Sequence, residues 1–175
     1  MLRAKTVVNI RLTIGNLPIS RDGSVELGGH FEVTMLEDRY GKIVLAVGNW
    51  SSGQQIRWEL GEHMASQGLL VMRAFSQAEA ATTMFEVSPS VVLIDLGLED
   101  GSPLAVADFA SYRHPGARVV FVSDGGIFAD GSIFAHVNNA HAHVPAGMPV
   151  PDLSELILFH AQGAALAPQR GMRPI

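Results

Sequence analysis

The sequence predicts a doubly wound α/β domain, in which helices cover both faces of a five-stranded parallel sheet. Three observations support this prediction. Short apolar runs such as residues 43–47 are continuous rather than alternating, which is typical of strands buried on both faces. Segments with apolar residues three or four positions apart separate these runs and indicate helices. Strands that alternate with helices imply crossover connections, and such connections build a parallel sheet.

The composition is that of a packed globular protein. The 175 residues are 47% hydrophobic and 17% charged, which favours a folded domain over disorder. The net charge of −5, without any basic run, argues against a nucleic-acid partner. The absence of cysteine excludes disulfides and thiolate chemistry. Apolar stretches too short to span a bilayer and a poor signal sequence predict a cytoplasmic protein without a membrane partner.

Residues 1–40 predict an N-terminal β extension. Residues 8–14 and 31–35 each alternate between apolar and polar side chains, as strands with one buried face do. A polar stretch with proline and glycine separates the two runs. The pattern predicts a β-hairpin or strand pair. Because a lone hairpin is only marginally stable in water, the extension is expected to pack on the main domain or on a partner chain.

Residues 41–162 predict the α/β domain itself, and residues 163–175 predict a flexible tail. Strands are expected at KIVLAVG, LLVMRAF, VVLID, RVVFVS and, shorter, at HAHVP. Five such units indicate a flavodoxin-like sheet. The third and fourth helices are expected at residues 104–112 and 127–138. The apolar sides of the other helices are expected to be Ile56, Leu60 and Met64 in the first, Ala78, Ala81 and Phe85 in the second, and Leu153, Leu156, Ile157 and His160 in the last.

The functional crevice of such a fold lies at the carboxyl ends of its strands. Five residues lie at or just after the ends of the predicted strands at this edge: Gly48, Asn49, Asp95, Ser123 and Ala146. We therefore expect these five residues to lie close together, whatever their function.

The ordered motifs VVLIDLGLEDG, VVFVS and AHAHVPAGMPVPDLSELI resemble the receiver domains of bacterial response regulators, over roughly residues 42–160. The resemblance is to a degenerate, or atypical, member of the CheY-like superfamily. It implies that Asp95 occupies the position of the phosphoacceptor. It also implies that Ser123 and His143 occupy the switch positions, where the family has a hydroxyl residue and an aromatic residue.

The same resemblance implies that most of the phosphorylation chemistry is missing. The acid positions that hold Mg²⁺ in the family are Gly48 and Asn49 here, although Mg²⁺ prefers carboxylate oxygens. The lysine position is Ala146, which cannot neutralise a phosphoryl group. We therefore predict a non-catalytic pseudo-receiver without a cofactor. It would act in bacterial signalling or regulation by protein–protein interaction, and Mg²⁺-dependent aspartyl phosphorylation would not switch it.

Two other functions remain open from the sequence. One is a single-domain response regulator that is phosphorylated at Asp95. The other is a small-ligand-binding α/β module that uses the less charged crevice. The expected partner is a kinase-like or regulatory protein, and a homodimer is a further option. In the family the fourth helix, fifth strand and fifth helix form the usual interaction face, which here would contain Ile133, Phe134, Val137, His141, His143, Leu156 and Phe159.

Two acidic residues and two tryptophans give weaker hypotheses. Asp100 and Asp124 are predicted at the same edge as Asp95, where the three could form a rearranged acidic site. Trp50 and Trp58 are potential anchors for a protein partner if their side chains are exposed. The segment GNWSSGQQ contains Trp50 but has neither of the glycine patterns that bind nucleotide phosphates, so it predicts no nucleotide site.

The histidines near the C-terminus give one more hypothesis. His136, His141 and His143 lie within eight residues, and the last two are two apart, hence on one face of a regular strand. Such a pair could bind a transition metal, but no cysteine or nearby carboxylate completes a ligand set. No serine–histidine–acid set can be assembled from the sequence either, and the nucleophile-elbow pattern is missing.

Overall fold

The computed structural model of the protein describes residues 11–12, 41–48, 60–61, 63–125, 132–137 and 139–164. Six strands form one sheet: β1 (Arg11–Leu12), β2 (Lys42–Val47), β3 (Leu69–Ala74), β4 (Val91–Asp95), β5 (Arg118–Ser123) and β6 (Ala140–Pro145). Their order in space is β1-β3-β2-β4-β5-β6. Strands β2 to β6 run parallel to each neighbour, and β1 is antiparallel to β3. The predicted five-stranded parallel sheet is confirmed.

Helical residues lie between the strands, in the predicted alternation. The described helices are α1 (residues 60–61 and 63–66), α2 (Gln77–Glu86), α3 (Pro103–Arg113), α4 (Ile133–His136) and α5 (Val150–Ala164). Within the helix predicted over residues 127–138, the structure assigns α4 alone, and residues 126–131 lie outside the described part. Helix α5 continues past residue 162, the expected end of the domain, and residues 165–175 lie outside the described part.

Helices α2 and α3 begin where their sequences supply capping groups. The Ser76 hydroxyl accepts a hydrogen bond from the Glu79 backbone N–H at 3.1 Å, and the Glu79 carboxylate accepts one from the Phe75 N–H at 2.8 Å. This reciprocal arrangement satisfies two N–H groups that have no partner within the helix. Ser102 caps α3 in the same position, and Pro103 follows it at the first helical residue. Both helix starts are thus fixed by local sequence.

The sheet has a hydrophobic core on each face. On one face α2, α3 and α4 cover a cluster that includes the fully buried Phe121 and Ile133. On the other face α1 and α5 contribute Leu60, Met64 and Ile157 to a second cluster. Most side chains of β2 to β5 are buried, because consecutive residues point into the two different cores. Leu60 and Met64 lie on the buried side of α1 as predicted, whereas Ile56 lies outside the described residues.

Helix α2 buries a different face from the one that its apolar pattern suggested. The predicted apolar side is exposed at Phe85, which keeps 62% of its surface accessible, and at Ala78; Ala81 is only half-buried. Thr83 lies on the buried side because its hydroxyl donates to the Glu79 carbonyl at 2.9 Å, so no unpaired polar group enters the core. The buried residues of α2 are Ala80, Thr83 and Met84.

Helix α5 buries Leu153 and Ile157 as predicted, while Leu156 and His160 are half-buried at the border of that face. The difference is a small rotation of the buried stripe, which also includes Ala161.

Strand β6 contains a bulge that the sequence did not predict. Val119 pairs with Ala140, but the next residue of β5, Val120, pairs with Ala142, so His141 is an additional residue in the ladder. A bulge of this kind reverses the alternation of side chains along the strand. The prediction that His141 and His143 share one face is therefore wrong. His141 lies on the α5 side of the sheet, and His143 lies on the opposite side with Phe121.

In the N-terminal 40 residues, the structure describes only β1. It adds a strand to the β3 edge, with Leu12 opposite Met72 and Arg11 opposite Arg73. The second predicted run, residues 31–35, lies outside the described part, as do Trp50 and Trp58. Within the ranges that the structure describes, no helix has the length and apolar character needed to cross a membrane.

Candidate functional site

The carboxyl ends of β2, β4, β5 and β6 meet at one edge of the sheet. Gly48, Asp95, Ser123 and Ala146 lie at this edge, where the sequence places them. The Ala146 N–H donates a hydrogen bond to the Ser123 carbonyl at 2.9 Å, which joins the β5 and β6 ends directly. Asn49 follows Gly48 in the chain and lies outside the described residues. The roles of these residues remain predictions.

The Asp95 side chain is half-buried and holds its own loop. Its Oδ1 atom accepts a hydrogen bond from the Gly97 N–H at 2.8 Å, and its carbonyl accepts a longer one from the Leu98 N–H at 3.2 Å. A short acidic side chain that binds the backbone two residues later stabilises a tight turn. One carboxylate oxygen of Asp95 thus stabilises the turn that follows β4.

Gly48 lies against Asp95 at a distance that only glycine permits. Its φ angle is 136°, a backbone conformation that other residues rarely adopt. A Cβ atom at this position would lie 2.3 Å from the Asp95 Cβ and 3.2 Å from its Oδ2. The Gly48 N–H also donates to the Ala74 carbonyl at 2.9 Å, which fixes the end of β2 against β3. Gly48 therefore offers no carboxylate, and the Asp95 side chain fills the space that a side chain at position 48 would need.

Ser123 and His143 form a hydrogen bond across the β5–β6 pair. The Ser123 Oγ lies 2.8 Å from the His143 Nε2, and Ser123 retains 8% of its surface accessible. Which atom donates depends on the histidine tautomer. In the described part of the chain, the His143 ring donates no hydrogen bond to a carboxylate. The pair is thus not extended into a catalytic triad there.

Gln77, at the start of α2, anchors the loop that follows Asp95. Its backbone N–H donates to the Asp100 carbonyl at 2.9 Å, and its side-chain oxygen accepts from the Ser102 N–H at 2.9 Å. Gly101 has a φ of 110° and passes so close that a Cβ there would lie 2.3 Å from the Gln77 Cβ. This contact could not be predicted from sequence patterns, because 25 residues separate Gln77 from Ser102.

Among the residues that the structure describes, the acidic side chains at this edge do not form a cation site. Asp100 and Asp124 are exposed, and Asp100 contributes its carbonyl to the loop contact. Across the residues described by the structure, no three histidine, aspartate or glutamate side chains are grouped so as to hold a metal ion.

His141 belongs to a separate cluster at the amino end of β6. Its ring contacts that of His160 on α5, with 6.1 Å between centroids. Burial lowers the pKa of both histidines below 6.5, and the nearby Arg118 guanidinium lowers each pKa further. Arg118 itself donates to the Gly163 carbonyl near the end of α5 at 3.3 Å. The bulge in β6 separates this cluster from the Ser123–His143 pair.

The interaction face expected from the family is only partly available for contact. Ile133 and Val137 are buried in the core, so they cannot contact a partner. Phe159 is exposed over 71% of its surface, and Leu156 is half-buried. The Phe134 side chain lies outside the described residues.

No protein-family model matches this chain, and no curated protein matches it. Solved structures do match. A response-regulator receiver domain protein from Methanospirillum hungatei superposes with a TM-score of 0.60 at 19% identity, over 73% of this chain and 98% of that one. The fold of this chain is therefore that of the CheY-like receiver domains. NtrX from Brucella abortus matches with a TM-score of 0.60 at 20% identity, over 71% of this chain.

The matched region covers only 28% of the NtrX chain. TrrA from Thermotoga maritima, solved in complex with Mg²⁺ and beryllofluoride, matches with a TM-score of 0.55 at 19% identity, over 68% of this chain and 98% of that one. At these identities the comparisons establish the receiver fold alone.

Proposed function

We propose that this protein is a pseudo-receiver, a non-catalytic signalling module with a receiver fold that acts by binding another protein. In this proposal, Mg²⁺-dependent phosphorylation of Asp95 does not switch it. The contact between Gly48 and Asp95 is the observation that carries the proposal. The Asp95 side chain occupies the space that an acidic side chain at position 48 would need.

The chemistry of the neighbouring residues supports the same conclusion. Mg²⁺ requires several hard oxygen ligands in octahedral geometry, and Gly48 offers no side-chain oxygen. A phosphoryl group on Asp95 would gain negative charge that Ala146 cannot neutralise. The Asp95 Oδ1 accepts a hydrogen bond from the Gly97 N–H at 2.8 Å, so this oxygen is a weaker nucleophile toward a phosphoryl donor than a free carboxylate oxygen.

The partner that fits this role is a kinase-like or regulatory protein in a bacterial cytoplasm. The receiver fold of the matched structures supports a signalling role. Recognition would rest on a fixed surface, because the loop after Asp95 is bonded to α2 through Gln77.

The test is a titration of the protein with Mg²⁺ and beryllofluoride, in which the NMR chemical shift of the Gly97 amide is recorded at each step. Two variants test the hydrogen bond between Asp95 and the Gly97 N–H. Asp95→Asn retains an oxygen that can accept from Gly97, whereas Asp95→Ala removes it. We expect no saturable response in the wild type. We also expect the Gly97 amide to keep its shift in Asp95→Asn and to move in Asp95→Ala.

A saturable response in the wild type that Asp95→Asn abolishes would instead establish Asp95 as a phosphoacceptor. It would also show that the β2 end can rearrange around Gly48. Circular dichroism of each variant confirms that the comparison is made between folded proteins.

A further inference from the structure

The outer surface of α2 and α3 carries a group of exposed aromatic side chains. Phe85 is exposed over 62% of its surface and Tyr112 over 84%, while Phe109 lies half-buried between the helices. Arg113 is exposed beside them. These four residues are called the α2–α3 patch below. Exposed apolar groups of this kind, bordered by polar residues, mark sites of protein association.

The patch is ordered by contacts within the chain. The rings of Phe85 and Phe109 pack edge to face with 5.4 Å between centroids, and the Arg113 guanidinium lies 5.8 Å from the centre of the Phe85 ring. Beneath them the His114 Nε2 is hydrogen-bonded to the Met84 carbonyl at 2.8 Å, which joins the ends of the two helices. Because Phe85, Phe109 and Arg113 already have partners within the chain, binding would immobilise few further side chains of the patch and would lose little entropy.

The composition of the patch is that of an interface centre. Aromatic residues and arginine contribute most of the binding free energy at protein interfaces, because they bury a large area and still form directed contacts. The apolar side of α2 that was predicted to be buried is part of this outer surface. Its exposure is explained if a second molecule covers it.

The charged residues around the patch indicate which charges a partner's surface should carry. Arg113 provides a positive charge, whereas Glu86 follows Phe85 on α2 and Asp108 lies one helical turn before Tyr112 on α3. A purely acidic partner would meet Glu86 and Asp108, and a purely basic partner would meet Arg113. A partner that presents both signs avoids either repulsion.

A second copy of this chain presents both signs, because it carries Arg113, Glu86 and Asp108 around the same patch. In a two-fold interface the same surface is used twice, so the Arg113 of each copy can face the acids of the other. We propose that two copies of this chain associate through the α2–α3 patch. The patch does not include Asp95, and the proposal is independent of the pseudo-receiver function.

The test is analytical ultracentrifugation of the full chain over a range of concentrations. We expect a reversible monomer–dimer equilibrium in the wild type. Tyr112→Ala should weaken the dimer by at least about tenfold, because it removes a central aromatic contact. Phe159→Ala is the matched control, since Phe159 is an exposed aromatic residue on α5. This control should leave the dissociation constant unchanged.

A charge exchange tests the arrangement of the interface. Arg113→Glu should weaken the dimer, and adding Glu86→Arg and Asp108→Arg should restore it, because the signs again become complementary. A protein that is monomeric at all concentrations would overturn the proposal. A dimer that is lost in Phe159→Ala but kept in Tyr112→Ala would overturn it too. Neither result bears on the Mg²⁺–beryllofluoride titration, so the two proposals fail separately.

Discussion

At the scale of single residues, Gly48 is the position with the strictest requirement. Replacing it by alanine places a side chain on a backbone with a φ of 136° and brings a Cβ to 2.3 Å from that of Asp95. We expect Gly48→Ala to lower the free energy of unfolding by about 2–4 kcal/mol, from backbone strain and overpacking together. Urea denaturation measures this change.

Gly147 offers a matched control for Gly48, because it lies near the same edge with open space around its Cα. Gly147→Ala should change the free energy of unfolding by about 1 kcal/mol or less. If Gly48→Ala proves as stable as Gly147→Ala, the end of β2 relaxes easily and the steric argument is wrong.

The bond between Ser123 and His143 can be measured by a double-mutant cycle. Ser123→Ala and His143→Phe each remove the 2.8 Å hydrogen bond, so their effects on the free energy of unfolding should not add. We expect a coupling energy of about 1 kcal/mol, as is usual for a partly buried hydrogen bond. Additive effects would show that the bond does not contribute to stability.

Single-residue features differ in how far the sequence predicts them. Asp95 and Ser123 could be placed at one edge because each follows an apolar run at the end of a strand. The contact between Gly48 and Asp95 could not be predicted from the sequence, because it depends on the distance between the backbones of β2 and β4. The Ser123–His143 bond depends on the register of β6, which includes an additional residue that no sequence pattern marks.

At the scale of elements, the prediction of a buried helix face is wrong where two faces of the helix have similar apolar content. Helix α2 has one stripe with Ala78, Ala81 and Phe85 and another with Ala80 and Met84. Apolar spacing alone favours the first stripe. The second is buried because Thr83 satisfies its hydroxyl within the helix, and because the contacts of Gln77 with the loop after Asp95 fix the rotation of α2.

The contact between α2 and the loop after Asp95 gives a prediction at this scale. Gln77→Ala removes the acceptor of the Ser102 N–H. We expect faster hydrogen exchange at the Ser102 amide, while the Gly97 amide, held by Asp95, keeps its rate. Gln67→Ala is the control, because the Gln67 side chain is exposed and bonds only within its own turn. Equal rates at Ser102 in both variants would contradict the anchoring role of Gln77.

For the whole molecule, the two histidines with lowered pKa values predict how stability depends on pH. His141 and His160 bind protons less readily in the folded state than in the unfolded state, where the pKa is 6.5. The unfolded state therefore takes up more protons as the pH falls below 6.5, and the free energy of unfolding decreases over that range. At pH values well above 6.5 these two residues are unprotonated in both states and should contribute no pH dependence.

Urea midpoints at about pH 7.5 and about pH 5.5, on either side of the unfolded-state pKa, measure this effect. His160→Gln should reduce the difference between the two midpoints, because it removes one of the two groups. An unchanged difference in His160→Gln would show that other groups cause the loss of stability.

The overall architecture was the most predictable level. Five apolar runs separated by helical patterns specify a parallel sheet, and each predicted strand in residues 42–145 is present. The position of β1 was not predictable, because an alternating run does not indicate which strand it will pair with. The α2–α3 patch was not predictable for a related reason: it is formed by two helices, and the sequence pattern does not determine their relative position.

The form of β6 has a consequence for the behaviour of the protein in concentrated solution. Among the described strands β6 is an outer one, and an outer strand can nucleate edge-to-edge aggregation by pairing with other molecules. The bulge at His141 interrupts its ladder, and Pro145 at its last position has no N–H to donate. These two features discourage amyloid-like growth from this edge, so β6 limits the lateral extension of the sheet as well as carrying part of the site.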